Sequence, residues 1–213
     1  MKPETFAASP LAWKPTTAAD LIGHPARVAE SLLAKARRLR EGDRAPLKIL
    51  LYGPPGIGKT TIAEMVAGEL AGTPWGIDET NGKLVTIEVV KGWLREAAFG
   101  SLFSDWSVKV VNELDRCSRD AQDLMLTHLD KLAPGRAFIG TSNLDLSQLT
   151  ERFQTRFQAI RLRAPETEEI TALLMDRWPV PEQVAAMIAV GSGGNVRAAL
   201  ADLESHLDAH ALR

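Results

Sequence analysis

Cysteine is all but missing from this chain: Cys117 is the only one in 213 residues. No disulfide can close within the chain, and no cysteine-rich zinc cluster can be built. The pattern suits a reducing compartment, so a cytoplasmic location is expected. Net charge is nearly missing too, since 25 basic and 27 acidic residues leave a formal charge of −2. Such a chain is no general electrostatic glue for nucleic acid, although assembly into a ring could concentrate a local basic face. No apolar run approaches the ~18 residues of a membrane span, and no basic-then-apolar leader opens the sequence. A soluble protein without a membrane partner is expected. Internal repeats and low-complexity tracts are also missing. What is present, 45% hydrophobic residues, is ample for the core of one α/β domain with a small appendage, at the usual ~100–200 residues per domain.

The chain does carry one unbroken phosphate-binding loop. Residues 53–60 read Gly53-Pro54-Pro55-Gly56-Ile57-Gly58-Lys59-Thr60, and Thr61 follows. The apolar run Leu47-Lys48-Ile49-Leu50-Leu51-Tyr52 before it has the composition of a buried strand. Behind it, Ile62, Val66 and Leu70, with Ala63 and Ala67 beside them, mark a helical face over 61–71. A strand that enters a glycine-rich turn and leaves as a helix aims backbone N–H groups and the positive helix end at one point. Lys59 can then neutralise the β- and γ-phosphates, and the Thr60 hydroxyl can reach a magnesium ion. Residues 53–61 are the expected nucleotide contacts, and ATP with Mg²⁺ the expected ligand.

Strand and helix alternate along the rest of the chain until helices take over. Residues 1–20, rich in Pro, Thr and Ala, are expected to run extended over the surface. A first helix is expected over 25–41, with Arg37, Arg38 and Arg40 favourable to its carboxyl end. Further strands are expected at 84–90, 108–111, 137–141 and 159–162, and a helix over 118–132. Pro165 marks a boundary. Three helices follow, near 166–178, 181–190 and 194–211. The expected fold is α/β, a phosphate-loop NTPase with a mostly parallel five-stranded sheet flanked by helices and then a small helical lid. The core would occupy 1–163 and the lid 164–213.

Two other strand ends carry polar groups. Val108 to Val111 leads into Asn112-Glu113-Leu114-Asp115. Glu113 is placed to polarise a water towards the γ-phosphate. Asn112 stands where a magnesium-linked carboxylate would be expected, and can offer only an amide oxygen to the metal's water shell. An aspartate at that position would add a full charge, which on this reading would raise turnover roughly tenfold or more. Asp115 reads as a helix-start residue. Ile139-Gly140-Thr141-Ser142-Asn143 places Asn143 at a third strand end, able to hydrogen-bond the attacking water or the γ-phosphate.

Together these motifs resemble the AAA+ ATPases and, within them, clamp-loader subunits of the replication factor C kind. Trp13-Lys14-Pro15 followed by Asp20-Leu21-Ile22-Gly23 resembles the entry segment that holds the adenine, which implies a nucleotide contact for Ile22. Residues 53–60 match the Walker A loop, Asn112-Glu113 the Walker B end and Asn143 sensor 1. Ala121-Gln122 falls at the family's usual distance from Walker B. Thr155-Arg156-Phe157 resembles the segment whose arginine reaches a neighbouring subunit's γ-phosphate, a role Arg152 could share. Gly193-Gly194-Asn195-Val196-Arg197 resembles sensor 2, so Arg197 is expected to reach the γ-phosphate in cis. The resemblance implies an ATPase in a homo- or hetero-oligomeric ring or arc, with a sliding clamp and DNA as partners. Clamp-loader subunits carry a further helical collar domain. This sequence ends at Arg213, so a compact relative without the collar is expected.

The aromatic segment 91–106, with Trp93, Phe99, Phe103 and Trp106, admits two readings. It could grip a polypeptide or nucleic acid, with Phe99-Gly100 as a pore loop, or pack a helix onto the sheet. A protein remodeller, and a weakly hydrolysing scaffold or switch suggested by Asn112, therefore stand beside the DNA-associated clamp-loader reading.

Overall fold

In the computed structural model, residues 9–96, 104–143 and 146–211 are described. Phe99, Gly100 and Phe103 lie outside them. Five strands form a single parallel sheet: β1 (Leu47–Tyr52), β2 (Ile77–Asn81), β3 (Ser107–Asn112), β4 (Arg136–Ser142) and β5 (Gln158–Arg161), in the order β2-β3-β4-β1-β5. The helices are α1 (Gly23–Glu41), α2 (Lys59–Ala71), α3 (Ile87–Glu96), α4 (Arg119–Asp130), α5 (Glu151–Gln154), α6 (Thr167–Arg177), α7 (Glu182–Ser192) and α8 (Val196–Ala211). The expected fold is the observed one, a five-stranded parallel sheet with flanking helices and a helical carboxyl-terminal region. Among the described residues, no helix is long and apolar enough to cross a membrane.

The chain divides into two compact units. The sheet unit is Val28–Gly53 with Lys59–Leu162; the helical unit is Met1–Arg27, Pro54–Gly58 and Arg163–Arg213. In the sheet unit, β1, β3 and β4 are buried along almost their whole length, which is why they read as continuous apolar runs. Leu50, Val111, Phe138, Leu114, Met125 and Leu129 meet in its core, and Phe153 and Phe157 from the α5 region close it.

One expected strand is a helix. Residues 84–90 are rich in β-branched side chains, yet α3 starts at Ile87. The Thr86 hydroxyl accepts the Val89 N–H at 3.3 Å and the Thr86 carbonyl accepts the Val90 N–H at 3.1 Å, so Thr86 opens the helix. Val90 and Trp93, three apart, are buried on its inner face, and that burial overrides the strand propensity. The true second strand is Ile77-Asp78-Glu79-Thr80-Asn81, an edge strand with two exposed acidic residues. It pairs with β3 alone, so it needs little apolar surface.

The helical unit has a core of its own. Ile170, Leu174, Trp178, Ala189, Ala199 and Leu203 are buried together, and Trp13 and Ile22 pack against them. Residues 9–20 are therefore not an extended surface strap. They form short 3-10 turns at Pro10–Ala12 and Ala18–Asp20, each with a buried residue. The Trp13 and Trp178 rings meet edge to face at 5.8 Å. Arg177 lies over Trp13 at 5.3 Å and donates to Asp20 at 2.6 Å.

Candidate functional site

In the sheet unit, parallel pairing gathers the carboxyl ends of the strands. Gly53 continues β1, and its N–H donates to the Ser142 carbonyl at the end of β4. The Lys59 ammonium, on a buried side chain, donates to the Gly53 carbonyl at 2.9 Å. The Asn112 side-chain oxygen accepts from two hydroxyls, Thr60 at 3.1 Å and Thr141 at 3.0 Å. Its nitrogen donates to Glu79 Oε1 at 2.6 Å. Lys59, Thr60, Asn112 and Glu113 are thus brought together, and Thr141 and Glu79, which were not foreseen, join them.

Glu113 sits in the left-handed region at φ 54° and ψ 49°, unusual for a residue with a side chain and frequent where a functional group is re-aimed. The Thr141 hydroxyl accepts its N–H at 3.2 Å. Its carboxylate accepts from the Asn81 amide at 3.2 Å and from Arg116 at 2.8 Å. Those two hydrogen bonds hold the Glu113 carboxyl below its usual range, Asn81 contributing most. Gly82 makes this approach possible, because a Cβ there would run into the Glu113 carbonyl. Asn143 is exposed beyond β4, and its backbone N–H donates to Asp115 at 3.4 Å. Asp115 thus serves the Asn143 backbone.

Arg156 lies in the turn after α5. Its Nε and Nη2 donate to the two carboxylate oxygens of Asp130 at 2.8 and 3.3 Å, a fork-to-fork pair. This pairing holds the Asp130 carboxyl below its usual range. Arg152 is exposed one turn earlier. Gln122 is buried and ties this region down: its amide donates to the Cys117 carbonyl at 3.1 Å and accepts the Thr150 N–H at 3.3 Å. Of the aromatic segment, Trp93 and Trp106 are buried, which favours the packing reading for both.

The helical unit contains the middle of the loop, Pro54–Gly58. Pro54 and Pro55 are exposed and Ile57 is buried. Gly56 and Gly58 have φ of 73° and 95°, which a side chain would strain. The Arg197 N–H donates to the Gly56 carbonyl at 3.3 Å. Asn195 caps α8 by accepting the Ala198 N–H at 3.1 Å, and a Cβ on Gly56 would collide with its amide. The Arg197 side chain is exposed, and Ile22 is half-buried on the helical core. Arg197 therefore adjoins the loop through its backbone.

Among the described residues, no three His, Cys, Asp or Glu side chains gather as a metal site. The Thr60 hydroxyl and Asn112 carbonyl oxygen do fit a hard cation of the kind that takes most of its ligands from phosphates and water.

Residues 49–164 match the model of the ATPase family associated with various cellular activities (AAA). Replication factor C small subunit 2 of Pyrobaculum arsenaticum is 31% identical over 152 residues, covering 68% of this chain and 46% of that protein. Replication factor C subunit 5 of Mus musculus is 28% identical over 211 residues, covering 91% of this chain and 58% of that protein. The chain spans about half the length of these curated relatives. Among solved structures, the Thermotoga maritima RuvB Holliday junction branch migration motor matches with a TM-score of 0.66 at 25% identity, over 87% of this chain and 62% of that one.

Proposed function

Because the chain belongs to the AAA family of ATPases, we propose that it binds ATP with Mg²⁺ at residues 53–61 and hydrolyses it in an oligomer whose active sites are completed by a neighbouring copy. The observation that carries the reading is the hydrogen-bonded cluster of Thr60, Asn112, Thr141 and Glu113, on strand ends beside the buried Lys59. Lys59 neutralises phosphate charge, and Thr60 and Asn112 face the cation, which when bound offsets the charge developing on the phosphates. Glu113 takes the water's proton once it leaves Asn81 and Arg116. Asn143 orients that water, Arg197 contacts the γ-phosphate from the loop's own unit, and Ile22 lies against the adenine. Arg156 acts in trans, exchanging Asp130 for the neighbour's phosphate.

The biological setting we propose is DNA-associated and clamp-loader-like, in the cytoplasm, with a sliding clamp as partner. It is supported by relatives named as replication factor C subunits and as a Holliday junction motor. ATP turnover measured with and without primed DNA and a sliding clamp, alongside the oligomeric state with ATP, tests it. Stimulation by DNA and clamp is expected. Stimulation by an unfolded polypeptide alone would select a protein remodeller. Tight ATP binding without turnover would select a switch, the reading that Asn112 favours.

A further inference from the structure

The end of β3 holds an amide where the proposed cation site calls for a carboxylate, and the neighbouring strand brings a carboxylate to that amide. Parallel pairing puts Glu79 opposite Val110 and Asn81 opposite Asn112, so Glu79, Asn81 and Asn112 share one sheet face. Glu79 Oε1 accepts from Asn112 Nδ2 at 2.6 Å, and Glu79 makes no ion pair among the described residues. The amide's orientation is fixed by chemistry. Its oxygen accepts from the Thr60 and Thr141 hydroxyls, and its nitrogen faces a carboxylate, which can only accept.

We infer that Glu79 is a positioning residue that supplies, through the Asn112 amide, the negative charge that a divalent cation beside Thr60 needs. The inference rests on the nucleotide site proposed above. A carboxylate drawing on the amide N–H makes the amide oxygen more negative, as hydrogen bonds in a chain polarise one another. That oxygen is the atom facing Thr60. Magnesium keeps several waters and needs only one or two protein carboxylates, so a charge one group removed can still act on it.

An aspartate at 112 would set one of its oxygens against Glu79, where the amide nitrogen now stands 2.6 Å away. Two carboxylates that close repel each other, and the exposed Glu79 side chain can turn into solvent, so the substitution exchanges one carboxylate beside the cation for another and adds little charge there. This reverses the expectation, drawn from position 112 alone, that Asn112→Asp accelerates turnover.

The test is a double-mutant cycle on the full chain, read as Mn²⁺ affinity of the ADP complex by electron paramagnetic resonance of the free ion. Glu79→Gln should weaken Mn²⁺ about tenfold while ADP affinity in chelator stays unchanged. Asn112→Asp in the parent should change Mn²⁺ affinity less than about threefold. In the Glu79→Gln background it should restore affinity to near the parent value, because the charge has only crossed its hydrogen bond. Thermal unfolding of each variant checks that the edge strand stays folded. Glu79→Gln binding Mn²⁺ like the parent would overturn the inference. So would Asn112→Asp tightening Mn²⁺ equally in both backgrounds. A parent that binds no ADP would instead bring down the proposed nucleotide site itself, and this inference with it.

Discussion

The sheet unit and the helical unit present their proposed functional groups in opposite states. In the sheet unit three of the charged groups are engaged within the unit: Glu113 by Asn81 and Arg116, Arg156 by Asp130, and the Lys59 ammonium by the Gly53 carbonyl. In the helical unit the contact to the loop is made by backbone, Arg197 N–H to Gly56, with the guanidinium left in solvent. The first arrangement must exchange partners before it can act; the second need only reach. The Arg156 pair is exposed, so its exchange for a phosphate is cheap. On the proposed function, the conformation of the sheet unit is a resting state, and its release is what the predictions below test.

The largest expected effect breaks the comparison at its base. Lys59→Ala should weaken ATP binding at least about a hundredfold, because no other cation lies within the loop. Titration with a fluorescent ATP analogue measures it; unchanged affinity would place the nucleotide elsewhere. Arg156→Ala should bind ATP normally and hydrolyse it about a hundredfold more slowly. Mixing it with a Glu113→Gln protein should recover partial turnover at shared interfaces. No recovery at any ratio would remove the second copy from the active site.

A smaller effect sharpens the idea of a resting state. Arg116→Ala removes one of the two donors holding the Glu113 carboxylate, and should raise basal turnover several-fold with ATP affinity unchanged. Asp130→Asn should act likewise by freeing Arg156, but only at protein concentrations where the oligomer forms. Steady-state rates over a protein dilution series separate the two. A rate loss in both variants would mean that these pairs build the active state instead of holding it back.

How much of this was legible depends on burial. The strands β1, β3 and β4, and the helices α2, α4 and α6 to α8, follow from apolar runs and helical periodicity, because each packs against a core, while the short, mostly exposed edge strand β5 was marked by Ile160 and the buried Leu162 after it. The edge strand β2 was invisible: Asp78 and Glu79 are exposed, and an edge strand with one neighbour carries no apolar signature. Missing that strand and missing the partners were one error, since Glu79 and Asn81 reach Asn112 and Glu113 from it. The loop, the Walker B end and the arginines were legible because their spacing is local. Asp130 was not, since nothing in its immediate sequence pairs it with Arg156, 26 residues on; Arg116, three residues after Glu113, had the local spacing of a pair and was missed.

The smallest effect distinguishes the units by their response to acid. His128 in the sheet unit is buried against the Trp93 and Phe138 rings, and its Nδ1 has no hydrogen-bond partner among the described residues. Burial, helped by Lys109 and Arg136, pushes its pKa down to about 4. The unfolded chain would bind a proton on this histidine from about pH 6.5 downwards while the folded chain does not, so stability falls as pH drops from 6.5 towards 4. By pH 5 the loss should be about 2 kcal/mol. In the helical unit, burial works to raise the Asp20 carboxyl, but hydrogen bonds from Thr17, Arg177 and Thr16 outweigh it and hold it well below its usual range. Its stabilisation is complete above the ordinary carboxylate range and is lost only below about pH 4. His24 is lowered by burial and by Arg163 and Arg27, but it is half-exposed, so its share of the acid loss is smaller. Hydrogen exchange at pH 7 and pH 5 should therefore show protection falling in β3, β4 and α4 before it falls in α6 to α8. In His128→Leu the sheet unit should lose that sensitivity over the same interval. Equal loosening of both units at pH 5, or an unchanged profile in His128→Leu, would assign the acid response to some other group.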